Sequence, residues 1–177
     1  MASMDRDIAP LPDLLEPYAT LGAMLLDATY DWKDELFVDD LPAEEVCWKP
    51  RPNGQSIGAI MLHMIIVEVA WLRWFVLKEE ISAEIKVELM WNEINVDEDK
   101  WPSPYHEPLS WYFALQDRYR KETIACLKQL PPPDEWLPAT RRKLTPRWVL
   151  GHVIQHESYH GGQIVMLHDL YQHQAGV

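Results

Sequence analysis

Four of the seven histidines stand at helical spacing among apolar residues: His63, His152, His156 and His160. An imidazole can move a proton near neutral pH or hold a divalent metal. His156 and His160 are four residues apart, so on a helix they project about 40° from one another. Val149, Gln163 and Leu167 fall within about 20° of His156 at the same period, which places the pair on an inward, apolar stripe. His63 shares its stripe with Ala59, Ile60, Val67, Ala70 and Trp74, so it also faces a core, with small residues beside it. One inward imidazole is commonly satisfied by a carbonyl. Three of them on two helices each need a partner, and one shared divalent ion satisfies all three. His152 lies one turn before His156 and about 40° to its other side. It can replace His160 as a ligand, or support a ligand by hydrogen bonding. His106, His168 and His173 fall in a loop or near the last turn and are expected to be solvated.

His156-Glu157-Ser158-Tyr159-His160 also spells H-E-x-x-H, the zinc-protease pattern in which the Glu is the general base. The context does not support it. Downstream of His160 the only carboxylate is Asp169, and Gln163 and Met166 occupy the places where the extended pattern needs Gly and His. No sheet is predicted that could hold a substrate strand. Glu157 is therefore expected to be a solvated neighbour of a ligand.

These residues must be positioned by long helices. Prolines divide the chain at 50 and 52, at 102, 104 and 108, and at 131–133 and 138. Between them the spacing predicts helices over about 13–36, 56–79, 109–130 and 145–171. Ser56 and Thr145 are the expected N-caps, with Pro146 at the first helical position. The stretch 81–89 reads as a short helix or a strand pair, and 91–107 as loop. Strand signals are otherwise scarce. Four long helices with one long connection predict an all-α, single-domain chain over 1–177, a four-helix bundle.

Composition narrows the function. Lys and Arg total 16 against 28 Asp and Glu, a net charge of −12, which argues against a nucleic-acid partner. The run Arg141-Arg142-Lys143 is too short to grip a duplex and is expected to solubilise a loop or meet an anionic group. Apolar stretches are interrupted by His63, Glu68 and Arg73, so no membrane span is predicted, and no leader pattern is evident. Two cysteines, Cys47 and Cys126, make no CxxC, which fits a cytoplasmic location. Most of the nine tryptophans are expected in the core or at a subunit interface. Trp71, Trp74, Trp111 and Trp148 are candidates for a pocket wall.

Two blocks carry a family resemblance. The first is Ser56-Ile57-Gly58-Ala59-Ile60-Met61-Leu62-His63 with Glu68 and Trp71-Leu72. The second runs from Trp148 through Gly151-His152 and His156-Glu157-Ser158-Tyr159-His160-Gly161-Gly162-Gln163 to Ile164. Both resemble the helix motifs of the DinB/YfiT family, and 41–50 resembles the connection before its second helix. The resemblance extends over about residues 15–170. It implies an up-down-down-up four-helix bundle, often a homodimer, with a divalent metal, zinc or nickel foremost, on His63, His156 and His160. It also implies thiol-dependent transferases and isomerases among the relatives, using low-molecular-weight thiols. Gly161 departs from the polar residue that relatives frequently carry there, which suggests a different substrate.

Three neutral imidazoles leave an ion its full charge and open coordination positions, which is the catalytic type of site. Such an ion can acidify water or a thiol. The expected function is a metal-dependent transfer of a small thiol to an electrophilic metabolite. The alternatives are a metal-dependent hydrolase and a non-catalytic bundle that binds a metal or ligand. Gln163 and His152 are the expected polar supports of the ligands, but Gln cannot act as a base. Glu68 lies about 140° from His63 and is expected to pair structurally. Arg73 and Arg147 are the candidate basic spots for an anionic thiol.

Overall fold

A computed structural model describes residues 8–36, 40–138 and 143–174. Arg141 and Arg142, on which the basic run depends, lie outside the described residues. The chain is all-α, and the one β feature among the described residues is an isolated Asn95–Lys100 bridge. The long helices are α1 (Tyr18–Leu36), α3 (Ile57–Val69), α5 (Leu109–Cys126) and α6 (Pro146–Gln174). Short helices α2 (Ala43–Cys47) and α4 (Ala83–Glu88) lie in the connections. Helix α1 packs along α6, and α3 packs against both α5 and α6.

The start signals act as the sequence predicts. Ser56 Oγ accepts from Ala59 N at 3.3 Å, and Thr145 Oγ1 accepts from Trp148 N at 3.3 Å. Each satisfies a backbone donor that has no partner within its helix. Helix α1 begins later than the expected 13, because Asp13 is left-handed (φ 64°) and turns the chain before Tyr18. The open choice at 81–89 resolves as helix, with Ser82 Oγ accepting from Ile85 N. The expected loop 91–107 contains two 3₁₀ turns, Trp91–Glu93 and Val96–Glu98. Asn95 Oδ1 holds the second by accepting from Glu98 N.

Helix α3 is buried on almost every side and continues without a break into a π-helical stretch, Ala70–Val76. The wider π turn shifts the register. Trp74, expected on the same inward stripe as His63, is consequently 58% exposed, while Leu72 and Val76 are buried. By length and composition Ile57–Val76 would suffice to cross a membrane, contrary to the sequence expectation. It is a core helix here, with 67% of its apolar window buried inside the protein.

Two adjacent glycines in α6 have different surroundings. A Cβ on Gly161 would stand 2.3 Å from Trp32 Cδ1, whereas a Cβ on Gly162 would meet nothing within 4 Å. Gly161 is thus the notch that seats Trp32 of α1, not a substrate-facing position. Gly161→Ala is expected to destabilise the protein by about 1–3 kcal/mol through overpacking. Gly162→Ala is expected to be neutral or to stabilise by up to about 1 kcal/mol through helix propensity. Urea unfolding of the two variants checks both signs.

Candidate metal centre

His63 comes from α3, and His156 and His160 come from consecutive turns of α6. Their ligand-capable nitrogens all lie within 4.8 Å of one another. His63 and His160 are buried and His156 is half-buried. His63 Nε2 and His156 Nε2 are 3.1 Å apart. Two nitrogens each about 2.05 Å from one tetrahedral ion would stand about 3.3 Å apart, so the spacing suits a shared cation. Burial, reinforced by His160, pushes the His63 imidazole down to about 4. Burial first, then the neighbouring imidazoles, pushes His156 down to about 2. Burial also lowers His160, against Gln163 and Glu157. The three rings are therefore neutral near pH 7, the state in which imidazole ligates a metal.

Gln163 orients one of them. Its Nε2 donates to Tyr159 Oη at 3.2 Å, which turns Oε1 toward His160 Nδ1 at 2.6 Å. An oxygen at that distance accepts, so Nδ1 carries the proton and Nε2 keeps its lone pair. His152 stands apart. Its ring stacks on Trp148 (5.0 Å, 9°), meets Trp71 edge-on (5.2 Å), and lies 6.1 Å from the His156 ring. Of the two polar residues expected to support the ligands, only Gln163 is hydrogen-bonded to the trio.

Four other expectations are corrected. Glu157 is not solvated: it is 3% exposed and points into the core. There it accepts from Gln116 Nε2 at 3.0 and 3.1 Å and from Arg120 Nη2 at 3.1 Å. His168 is half-buried and bonds through Nδ1 to the buried carboxylate of Glu45, which Gln172 also reaches. Arg73 pairs with Glu79 and Glu122, and Arg147 pairs twice with Asp134 at 2.8 Å. Neither arginine is free to meet an anion. Trp101, which periodicity does not single out, stands edge-on to His63 with ring centroids 5.4 Å apart. It lies in the non-periodic 91–107 connection. Its signal would have been the length of that connection alone.

Beneath the trio, Arg120 of α5 ties the helices together. It donates Nε to Glu68 Oε2 at 2.8 Å, Nη1 to Leu25 O at 2.7 Å, and Nη2 to Glu157. Glu68 thus pairs structurally, as its position on α3 predicts. Its carboxyl is raised by burial, against the opposing pull of Arg120. Arg120→Met would leave two buried carboxylates without their shared cation and is expected to cost about 3–5 kcal/mol. Glu68→Gln, which keeps the shape and removes one buried charge, is expected to cost less. Urea unfolding of the two variants gives the order.

Comparison with curated proteins and with solved structures gives no match. The model of one family, described as the DinB superfamily, matches residues 26–164. That span contains His63, Arg120, His156 and His160, with all of α3 and α5 and the part of α6 up to residue 164. The chain belongs to the DinB superfamily.

Proposed function

We propose that His63, His156 and His160 hold one divalent cation, zinc or nickel, and that the protein is a metal-dependent enzyme transferring a small thiol to an electrophilic metabolite. The observation that carries this reading is the convergence of three neutral imidazoles from two helices, one of them fixed in tautomer by Gln163. Three nitrogen donors suit zinc and nickel. Such an ion supplies Lewis acidity at its open positions. The protein's own residues supply the rest. Gln163 holds the proton on His160 Nδ1, burial keeps all three rings unprotonated, and Trp101 screens His63 from water on one side. The four long helices form an up-down-down-up bundle in this reading, and two copies form a cytoplasmic homodimer.

One observation ranks the alternatives. Hydrolysis of the H-E-x-x-H type uses that carboxylate as its proton acceptor, and here the carboxylate is bound to Arg120 and Gln116. A thiol must also lose its proton, but it ionises at about pH 8.5, far below water, so it can release that proton to solvent without such a base. A bundle that holds the metal without turnover is the second reading, favoured by the same missing base.

The test is bound metal per protomer on untagged protein, measured by inductively coupled plasma mass spectrometry. The parent is expected to carry close to one equivalent of zinc or nickel and His156→Ala to lose it. A parent that stays folded yet takes up neither metal overturns the reading. Gln163→Ala is expected to weaken metal affinity about 10–100-fold. A transfer screen with small thiols then separates turnover from storage.

A further inference from the structure

The sequence offers Arg73 and Arg147 to an anionic substrate, and carboxylates occupy both. Positive charge is available beside Trp101, the indole that meets His63. Trp101 is half-buried, with one side edge-on to His63. It also walls a cleft of about 360 Å³ together with Lys49, Asn53, Glu98, Asp99 and Lys100. Asp99 is engaged: Oδ2 accepts from Arg51 Nη2 at 3.2 Å, and Oδ1 accepts from Trp101 Nε1 at 3.3 Å. Lys49 donates one bond, to Pro102 O at 3.2 Å, and its ammonium keeps two further N–H groups. Among the described residues no carboxylate pairs with Lys49 or Lys100.

The connection is built to present this corner. Asn95 and Lys100 exchange both backbone bonds, at 3.0 and 2.8 Å, and Asp99 takes the left-handed conformation that closes the turn. These contacts fix Trp101, which lines the cleft and meets His63. The uncommitted charges are two ammonium groups and one carboxylate, that of Glu98. That balance leaves one net positive charge, which matches a single carboxylate.

We infer that the cleft formed by Lys49, Lys100 and Trp101 binds a carboxylate group of the small molecule that reaches the three histidines. The molecule lies along Trp101, with its carboxylate at the lysines and its donor atom at the trio. This rests on the metal reading only for the second contact.

The experiment is ¹H–¹⁵N NMR titration of zinc-treated and untreated protein with 3-mercaptopropionate, and with 2-mercaptoethanol as the thiol lacking the carboxylate. Trp101→Phe identifies the indole signal. 3-Mercaptopropionate is expected to shift the Trp101 indole and the Asn53 and Lys100 amides, and 2-mercaptoethanol to leave them in place. Lys49→Gln and Lys100→Gln are each expected to weaken 3-mercaptopropionate about threefold, as exposed charge pairs do. An equal response to both thiols overturns the inference, as does an unchanged affinity in both lysine variants. Inorganic phosphate binding more tightly than the carboxylate also overturns it. A cleft response in protein that takes up no zinc sustains this inference and defeats the metal reading. Zinc uptake with a silent cleft does the reverse.

Discussion

A single buried guanidinium sets how the histidine-bearing helices face each other. Arg120 is 5% exposed and holds Glu68 of α3, Glu157 of α6 and the Leu25 carbonyl of α1. Each carboxylate fixes the rotation of its own helix. Glu157 is one residue after His156, about 100° round α6, so anchoring it inward aims His156 and His160 toward α3. Glu68 is five residues beyond His63 and acts in the same way on α3. An apolar core of similar volume would be at least as stable. It would not fix rotation, because an apolar stripe tolerates a small turn of the helix that a charge-assisted hydrogen bond does not. The position of the trio is thus a consequence of the charge network beneath it.

The surroundings of the trio are aromatic more than charged. Trp101 stands beside His63, Tyr159 beside His160, and the stacked Trp148–His152 pair beyond His156. Such neighbours keep the imidazoles in a medium that disfavours their protonation, which is why burial dominates the lowering of all three. A net charge of −12 acts at longer range and raises the local concentration of cations. Both effects favour a metal over a proton at the same nitrogens.

Much of this was legible in the sequence, for identifiable reasons. Helix starts depend on local chemistry, so Ser56 and the Thr145-Pro146 pair could be read directly. Periodicity places residues on a face, so the three histidines could be assigned to inward stripes. What periodicity does not contain is the partner on the other side. Glu157 and His168 looked solvated and Arg73 and Arg147 looked available to an anion, because each is polar and its partner lies elsewhere in the chain. Trp74 failed because a constant 100° step does not anticipate a π turn. Trp101 was invisible because its position is set by a turn closed between Asn95 and Lys100, not by a repeat.

The H-E-x-x-H string shows how far a spacing argument extends. Five letters fix two imidazoles on one face and a carboxylate about 100° away. They do not fix what that carboxylate meets. In this fold the direction leads into the interior, where Arg120 and Gln116 take both oxygens. The same letters that would place a base beside an ion instead place a structural anchor beneath the histidines. A centre so arranged offers three imidazole ligands but no carboxylate from that string to accept a proton. In the proposed reading this favours a thiol, which ionises to a nucleophile far more readily than water does.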